Sequence, residues 1–474
     1  MINHGETMVR CLLHQQRISR EAGSKTNSLT GIGLIIRVVK SYNIGVRMAQ
    51  EPKRFHEFMP DEVWKWKILE EKMDKVLALH DYQEIRLSVL QDYQVLHTGI
   101  TALMQGAEAD YAVQAVLSLS SPESNLSLLS LRPEGTISVL HHTARIINPG
   151  EVHRFYYSGP MFRKADTQQQ MEFYQLGVEL LGSESILSEN EVISLGMKVC
   201  HGLGLKDVRL DMNSYGCSQC RVAFFADLRS YLEQHKDDYC KDCFRELYAN
   251  PFSDTRCQDA ECKHSFTSGP QISDYLCNTC KANFSKVKKI QANLGNSYKV
   301  NSHLYKNFAY YNETVFDFVV NHKGREIIVG GGGRYDYLSA QITGKKIPAV
   351  GFYLNLDILF EIMESRGLFR APEQDFKVYL CSESENLEMM TLQIAQELHA
   401  QGIKTILSPE ISTTAEEIKH AIHKACSVML IIRDDNIREG KILLRNLVKE
   451  HQDYVSLKDT LPAILLARKA LKHD

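Results

Sequence analysis

The sequence predicts an α+β protein: an antiparallel-sheet core with helices, a cysteine-rich insertion inside that core, and a separate C-terminal α/β module. Three observations carry the expectation. Residues 153–182 and 314–329 each read as two strands with a polar connection, the mark of antiparallel pairing. Eight of the twelve cysteines crowd between Cys217 and Cys280, and so between those two strand pairs. Beyond Pro372, short apolar strands alternate with a helical stretch, as in a mainly parallel sheet.

Each element has a local reason. A helix is expected from Met59-Pro60-Asp61-Glu62, where acids sit in the first turn and meet the positive end of the helix dipole. Trp66, Leu69, Met73, Val76 and Leu77 follow at helical spacing. Glu84 to Leu90 reads as a strand, and 100–130 is weakly patterned. Residues 132–136 precede a helix expected to run to about Ile147. Strands are expected over Arg154–Arg163 and Phe173–Leu181, around the polar loop Lys164–Gln170. Asn321-His322-Lys323-Gly324 is a hairpin signal between Thr314–Val320 and Arg325–Val329. Gly330 to Gly333 follow; without a Lys-Ser/Thr after them they are not a phosphate loop, and glycine backbone packed against a ligand at a strand end is expected instead. A last core strand, Val350–Leu354, leads into a helix from Leu356 to Glu364. In the C-terminal module, Phe376–Leu380 and Val428–Ile432 are strands, with a helix between them presenting Leu387, Met390, Ile394 and Leu398 and stopping at Gly402.

Composition narrows the function classes. At 474 residues with 44% hydrophobic and 24% charged content, the chain is an ordinary globular protein of two to four domains. Lys and Arg number 55 against 58 acids, so nucleic-acid contact has to come from local basic surfaces. No apolar run approaches the ~20 residues of a membrane span. Residues 1–47 carry seven Lys/Arg and two acids, and read as a disordered extension, a start placed ahead of Met48, or an organellar transit peptide.

The cysteines fall into Cys217/Cys220, Cys240/Cys243, Cys257/Cys262 and Cys277/Cys280. Two thiolates on a short turn supply two corners of a tetrahedron, so the first four and the last four can each close a structural zinc site. Pairs from different quartets can also share a metal, which leaves the count at one or two. Clustering of this kind points to metal in a reducing compartment, hence the cytoplasm.

Four ordered segments carry a family resemblance: LRPEGT (131–136), YYSGPMFRK…FYQLGVELLG (156–182), LYKNFAYYNETVFDF (304–318) and GGGRYDYL…IPAVGFYLNLDIL (331–359). Together they resemble histidyl-tRNA synthetase, a class II aminoacyl-tRNA synthetase. The resemblance implies a class II catalytic core in two parts, 48–212 and 291–370, split by the cysteine-rich insertion 213–290. It implies an anticodon-binding-like domain over 374–474. The implied partners are histidine, ATP with Mg²⁺, tRNA(His) and a second copy of the chain. The implied histidine contacts are Glu134 for the α-ammonium, Thr136, Gln175, Glu179 for an imidazole N–H, and Tyr311 and Tyr335 around the ring. Gln175 and Glu179 are four apart on a strand, so they share a face. Arg163 matches the arginine that holds the carboxylate and the ATP α-phosphate.

On the phosphate side the sequence departs from the family. Ile358 stands where the third motif ends in arginine. Lys306 stands at the family's catalytic arginine, keeping charge but losing the bidentate fork. Ala309 replaces an aspartate. The loop Lys164–Gln170 is shorter and lacks the adenine-facing glutamate, for which Asp166 is the available acid. Ser88 replaces the first motif's proline at the dimer interface. The expected function is therefore ATP-dependent attachment of histidine to tRNA(His) through histidyl-adenylate, with impaired ATP chemistry. The alternatives are an inactive regulatory paralogue that binds histidine, tRNA or a partner enzyme, as the regulatory subunit of ATP phosphoribosyltransferase does, or an RNA-binding protein acting through its cysteine block.

Overall fold

A computed structural model describes residues 57–102, 116–119, 128–164, 171–249, 251–252, 257–306, 310–371 and 375–470. The expected extension 1–47, most of the stretch 100–130, Asp166, Ala309 and Pro372 lie outside them. The chain divides into two compact units at Met363/Glu364.

The first unit holds strands β1 (Gln83–Glu84), β2 (Leu90–Asp92), β3 (Ser118–Leu119), β4 (Leu129–Leu131), β5 (His153–Phe162), β6 (Glu172–Leu181), β7 (Arg209–Ser214), β8 (Tyr298–Val300), β9 (Asn312–His322), β10 (Arg325–Arg334) and β11 (Ala349–Asn355). Among the described residues, eight of them form one sheet in the order β1-β5-β6-β11-β10-β9-β7-β8. The five long central neighbours, β5 through β9, are antiparallel. A small sheet, β2-β4-β3, stands apart.

The helix Pro60–Leu79 forms as the sequence predicts, with Pro60 at its first turn beside Asp61 and Glu62. Its buried stripe is Trp66, Leu69, Met73 and Leu77. Trp66 packs its ring edge-on to Tyr174 of β6, with centroids 5.2 Å apart. A second helix, Ile186–Gly202, crosses the sheet so closely that a Cβ on Gly196 would lie 2.1 Å from the Phe318 ring. The β9–β10 turn has Lys323 and Gly324 both at positive φ, the backbone that a two-residue hairpin of right-handed twist requires.

Four expectations need correction. The strand Glu84–Leu90 is broken: β1 pairs with β5 for two residues, and then the side chains of Arg132 and Gln91 take the carbonyls of Leu87 and Ser88 that a ladder would need. The helix after residue 135 is Thr136–Thr143, shorter than expected, and the Lys345 ammonium donates to the carbonyls of Ala144 and Ile147 beyond its end. The strand expected to stop at Val329 runs on through the glycine run. Gly330 to Gly333 lie within β10, laddered to β9 on one side and β11 on the other.

The fourth correction concerns the second unit, whose sheet has the order β13-β12-β14-β15-β16: β12 (Lys377–Ser382), β13 (Lys404–Leu407), β14 (Val428–Ile432), β15 (Lys441–Asn446) and β16 (His451–Ser456). Its first three strands are parallel and its last two pairings antiparallel, so it is mixed rather than mainly parallel. Four residues join β15 to β16, too few for the crossover that parallel pairing needs. Helices Glu388–Ala400 and Thr460–Ala470 cover Val378, Leu380, Val428 and Leu430. No helix among the described residues is long and apolar enough to cross a membrane.

Candidate active site and metal centres

The central strands carry a buried polar set that the sequence places far apart. Gly135 precedes the helix Thr136–Thr143, and Glu134 caps its first turn, accepting from the amides of Thr136 (2.7 Å) and Ile137 (3.0 Å). The Thr136 hydroxyl donates to Glu179 Oε1 at 2.8 Å, and the Tyr335 hydroxyl donates to Glu179 Oε2. Gln175, on the same face of β6, donates to the Tyr157 hydroxyl at 3.3 Å. Tyr311 closes the set, its ring centroid 6.4 Å from that of Tyr335. Glu134, Gln175, Glu179, Tyr311 and Tyr335 are all buried.

Burial dominates the electrostatics. It pushes Glu134 up to about 7 against the pull of the Ile137 and Thr136 amides and of Arg163. It pushes Glu179 up to about 8 against the Tyr335 and Thr136 hydroxyls, with Glu134 adding repulsion. The hydrogen bonds to both carboxylates come from amides and hydroxyls, which offset burial only in part and leave each carboxyl with an unmet demand for positive charge. Such a pair is complementary to a cationic or N–H-rich ligand.

Arg163 follows β5. Its Nε donates to the Pro133 carbonyl at 2.9 Å, and its guanidinium lies over the Phe173 ring, 4.9 Å from the centroid. Lys306 is buried and paired with Asp317 of β9. A Cβ on Gly331 would sit 2.0 Å from Asp317 Oδ1 and 2.5 Å from Lys306 Nζ, so the glycine makes room for this ion pair. Ile358 lies in the helix Leu356–Ser365, its amide donating to Asn355 Oδ1 at 3.0 Å. Asp166 and Ala309 lie outside the described residues.

Two participants escape sequence reasoning. Tyr157 is buried between Gly135 and Gly177, on either of which a Cβ would overlap its ring, and its hydroxyl adjoins Gln175 and Glu179. Asp317 is the buried counter-ion of Lys306. Nothing in the sequence brings Gly135 and Gly177 to Tyr157, or pairs 306 with 317.

The cysteines group differently from their order. Cys217, Cys220, Cys277 and Cys280 form one cluster, and Cys240, Cys243, Cys257 and Cys262 the other, each with all four sulfurs within 4.8 Å of one another. This corrects the consecutive pairing and realises the exchange of pairs between quartets. The reason is topological: Cys217 follows β7, the helix opened by Cys277 leads into β8, and β7 and β8 pair in parallel. The outer pairs therefore meet and the inner pairs close a loop between them. A tetrahedral zinc site with Zn–S of about 2.3 Å spaces its sulfurs by about 3.8 Å. Cys217 to Cys220 is 3.6 Å and Cys240 to Cys257 is 3.9 Å, so both donor sets fit such an ion.

A histidyl-tRNA synthetase family model matches residues 54–226 and 261–359, which include the whole buried polar set. The chain belongs to the histidyl-tRNA synthetase family. An anticodon binding domain model matches 377–465, within the second unit. A histidine–tRNA ligase of Caldicellulosiruptor bescii is 32% identical over 86% of this chain and 97% of the relative. Among solved structures, apo S. aureus histidyl-tRNA synthetase shares the fold at a TM-score of 0.69 and 23% identity, covering 87% of this chain and 98% of that one. An ATP phosphoribosyltransferase regulatory subunit/histidyl-tRNA synthetase from Bacillus halodurans C shares it at 0.54 and 20%, over 81% and 98%. The histidyl-tRNA synthetase core is thus the class II α+β fold that the motifs imply.

Proposed function

We propose that the chain binds histidine in the recess of Glu134, Thr136, Gln175, Glu179, Tyr311 and Tyr335, and joins it to tRNA(His) at the expense of ATP. The observation that carries this reading is the pair of buried carboxylates, Glu134 and Glu179, whose hydrogen-bond partners are backbone amides and hydroxyls. Histidine offers an α-ammonium for Glu134 and an imidazole N–H for Glu179, with the tyrosine rings walling the imidazole. Its carboxylate attacks the ATP α-phosphorus, forming histidyl-adenylate and releasing pyrophosphate. The terminal ribose hydroxyl of the tRNA then attacks the adenylate carbonyl and AMP leaves. Arg163, whose charge acts on Glu134, would hold the histidine carboxylate and the α-phosphate. Mg²⁺, arriving with ATP, supplies charge neutralisation at the phosphates. The second unit would read the anticodon.

The ATP half of this reaction is weakened. Phosphate chemistry depends on cations aimed at charge as it develops. Ile358 supplies none, and the Lys306 charge is already engaged by Asp317. That observation favours a second reading, a paralogue that holds histidine or tRNA without activating the amino acid. Histidine-dependent exchange of labelled pyrophosphate into ATP separates them. Exchange at the level of an intact synthetase removes the impaired-ATP reading; histidine binding without exchange above background establishes the paralogue.

The two cysteine clusters are proposed to hold two structural zinc ions per chain, consistent with a cytoplasmic protein, and metal analysis of the purified protein counts them. A homodimer is proposed from the family, and sedimentation tests it.

A further inference from the structure

The two cysteine clusters differ in what they touch. The Cys217/Cys220/Cys277/Cys280 cluster adjoins the start of β9, immediately after Tyr310 and Tyr311. Gly216, next to Cys217, accepts from the Glu313 amide at 3.2 Å, and the Tyr215 amide donates to the Glu313 carbonyl at 2.7 Å. Cys280 Sγ lies 3.5 Å from Glu313 Oε1. Arg221, one residue beyond Cys220 and buried, donates to the Tyr311 carbonyl at 3.3 Å. Gly216 has φ +60, and a Cβ there would meet the Cys220 side chain at 2.6 Å, so the turn carrying the first cysteine pair is pressed against the cluster. Glu313 has φ +52, an uncommon backbone for a non-glycine residue, and the same contacts hold it. The side-chain hydrogen bonds of the Cys240/Cys243/Cys257/Cys262 cluster among the described residues join its own cysteines and the neighbouring Asp259.

We propose that the metal in the Cys217/Cys220/Cys277/Cys280 cluster positions the Tyr311 wall of the histidine recess, through Gly216, Arg221 and Glu313, while the other cluster only closes the outer loop of the insertion. A tetrahedral thiolate site is rigid, and fixing Cys217 fixes the adjacent Gly216, whose carbonyl accepts from the Glu313 amide. The Tyr311 carbonyl is held from the same helix, Ser218–Gln234, whose first turn carries Cys220. Removing that metal frees the start of β9 and with it the side of the recess that Tyr311 forms. Arg221 and Glu313 are positioning residues; neither is placed against histidine itself. The assignment rests on the histidine reading of the recess given above.

The test compares Cys217→Ser/Cys220→Ser with Cys240→Ser/Cys243→Ser in the full chain. Zinc content, hydrogen exchange of the 310–316 amides and histidine affinity by calorimetry are read on each. The first variant is expected to lose one of two zinc ions, to lose protection at 310–316, and to bind histidine about tenfold or more weakly, in the range typical of supporting groups around a site. The second is expected to lose the other zinc while keeping that protection and an affinity within about twofold. Equal loss of protection in both, or full protection in the first, overturns the proposal. Should the first variant fail to fold, Arg221→Ala in zinc-replete protein decides. It should keep both metals yet bind histidine more weakly, with partial recovery in Arg221→Lys; unchanged affinity and exchange overturn the coupling. If the wild-type chain binds no histidine, the functional reading fails, and the exchange arm still judges the coupling.

Discussion

The Lys306 ammonium and the Asp317 carboxylate meet in the interior beside Gly331, whose missing side chain leaves the space they occupy. Removing one member of a buried ion pair costs roughly 3–5 kcal/mol, because the other charge stays behind in low dielectric. Lys306→Met is therefore expected to lower the thermal midpoint sharply, and adding Asp317→Leu should recover most of the loss. A double variant no more stable than the single one would show that this pairing contributes little.

Gly332 is a stricter position than its neighbours. A Cβ there would lie 2.0 Å from the Gly351 carbonyl oxygen and 2.7 Å from the Phe352 Cα, both backbone atoms that the β10–β11 ladder holds in place. Gly332→Ala should cost about 3 kcal/mol or more, at or beyond the upper end for overpacking. Gly295→Ala, which meets open space at positive φ, should cost about 1–2 kcal/mol. Urea midpoints of the two variants check the order.

The recess carboxylates set a pH dependence. Burial raises Glu179 from 4.5 to about 8, so between those values the folded protein holds a proton that the unfolded chain has released. Stability without ligand must then fall as pH rises across that window. Glu179→Gln removes the titration and should flatten the decline; parallel curves for wild type and variant would contradict it. Histidine favours the ionised carboxylates, so its binding should strengthen from about pH 6 to 8 and release protons near pH 7. Calorimetry in buffers of different ionisation heat reads that release directly.

Glu179→Gln also removes the anion proposed to meet the imidazole. Loss of a charged hydrogen bond of about 1.5–3 kcal/mol corresponds to roughly 10- to 100-fold weaker histidine binding. An affinity within a factor of two of wild type would place the imidazole elsewhere.

Ile358→Arg tests the phosphate side. If the missing cation is what weakens ATP binding, the variant should bind ATP about tenfold more tightly, with histidine affinity unchanged. Unchanged ATP affinity would mean that this helix position does not face the phosphates.

Much of this molecule was legible in order along the chain. Local rules suffice where neighbours in sequence are neighbours in space: Pro60, Asp61 and Glu62 start a helix, and Lys323-Gly324 turns a hairpin, because capping and twist are short-range effects. The strand face shared by Gln175 and Glu179 followed from the period of two. The four motifs identified the family for the same reason, since each is a contiguous string.

What the chain order left open was settled by long-range packing. Adjacent cysteine pairs looked like natural partners, yet the pairing of β7 with β8 brings Cys217 to Cys277 and leaves the inner pairs to each other. The glycine run was expected only to follow the strand Arg325–Val329. It is a strand because β9 and β11 take its hydrogen bonds and the Lys306–Asp317 pair needs the room. Tyr157 became part of the recess only when Gly135 and Gly177 closed on its two sides. The sequence by itself determined most of the core's element types, the family and the identity of the polar residues. Only the tertiary structure decided which of them meet, because a burial cost or an ion pair depends on what the fold brings within a few ångströms.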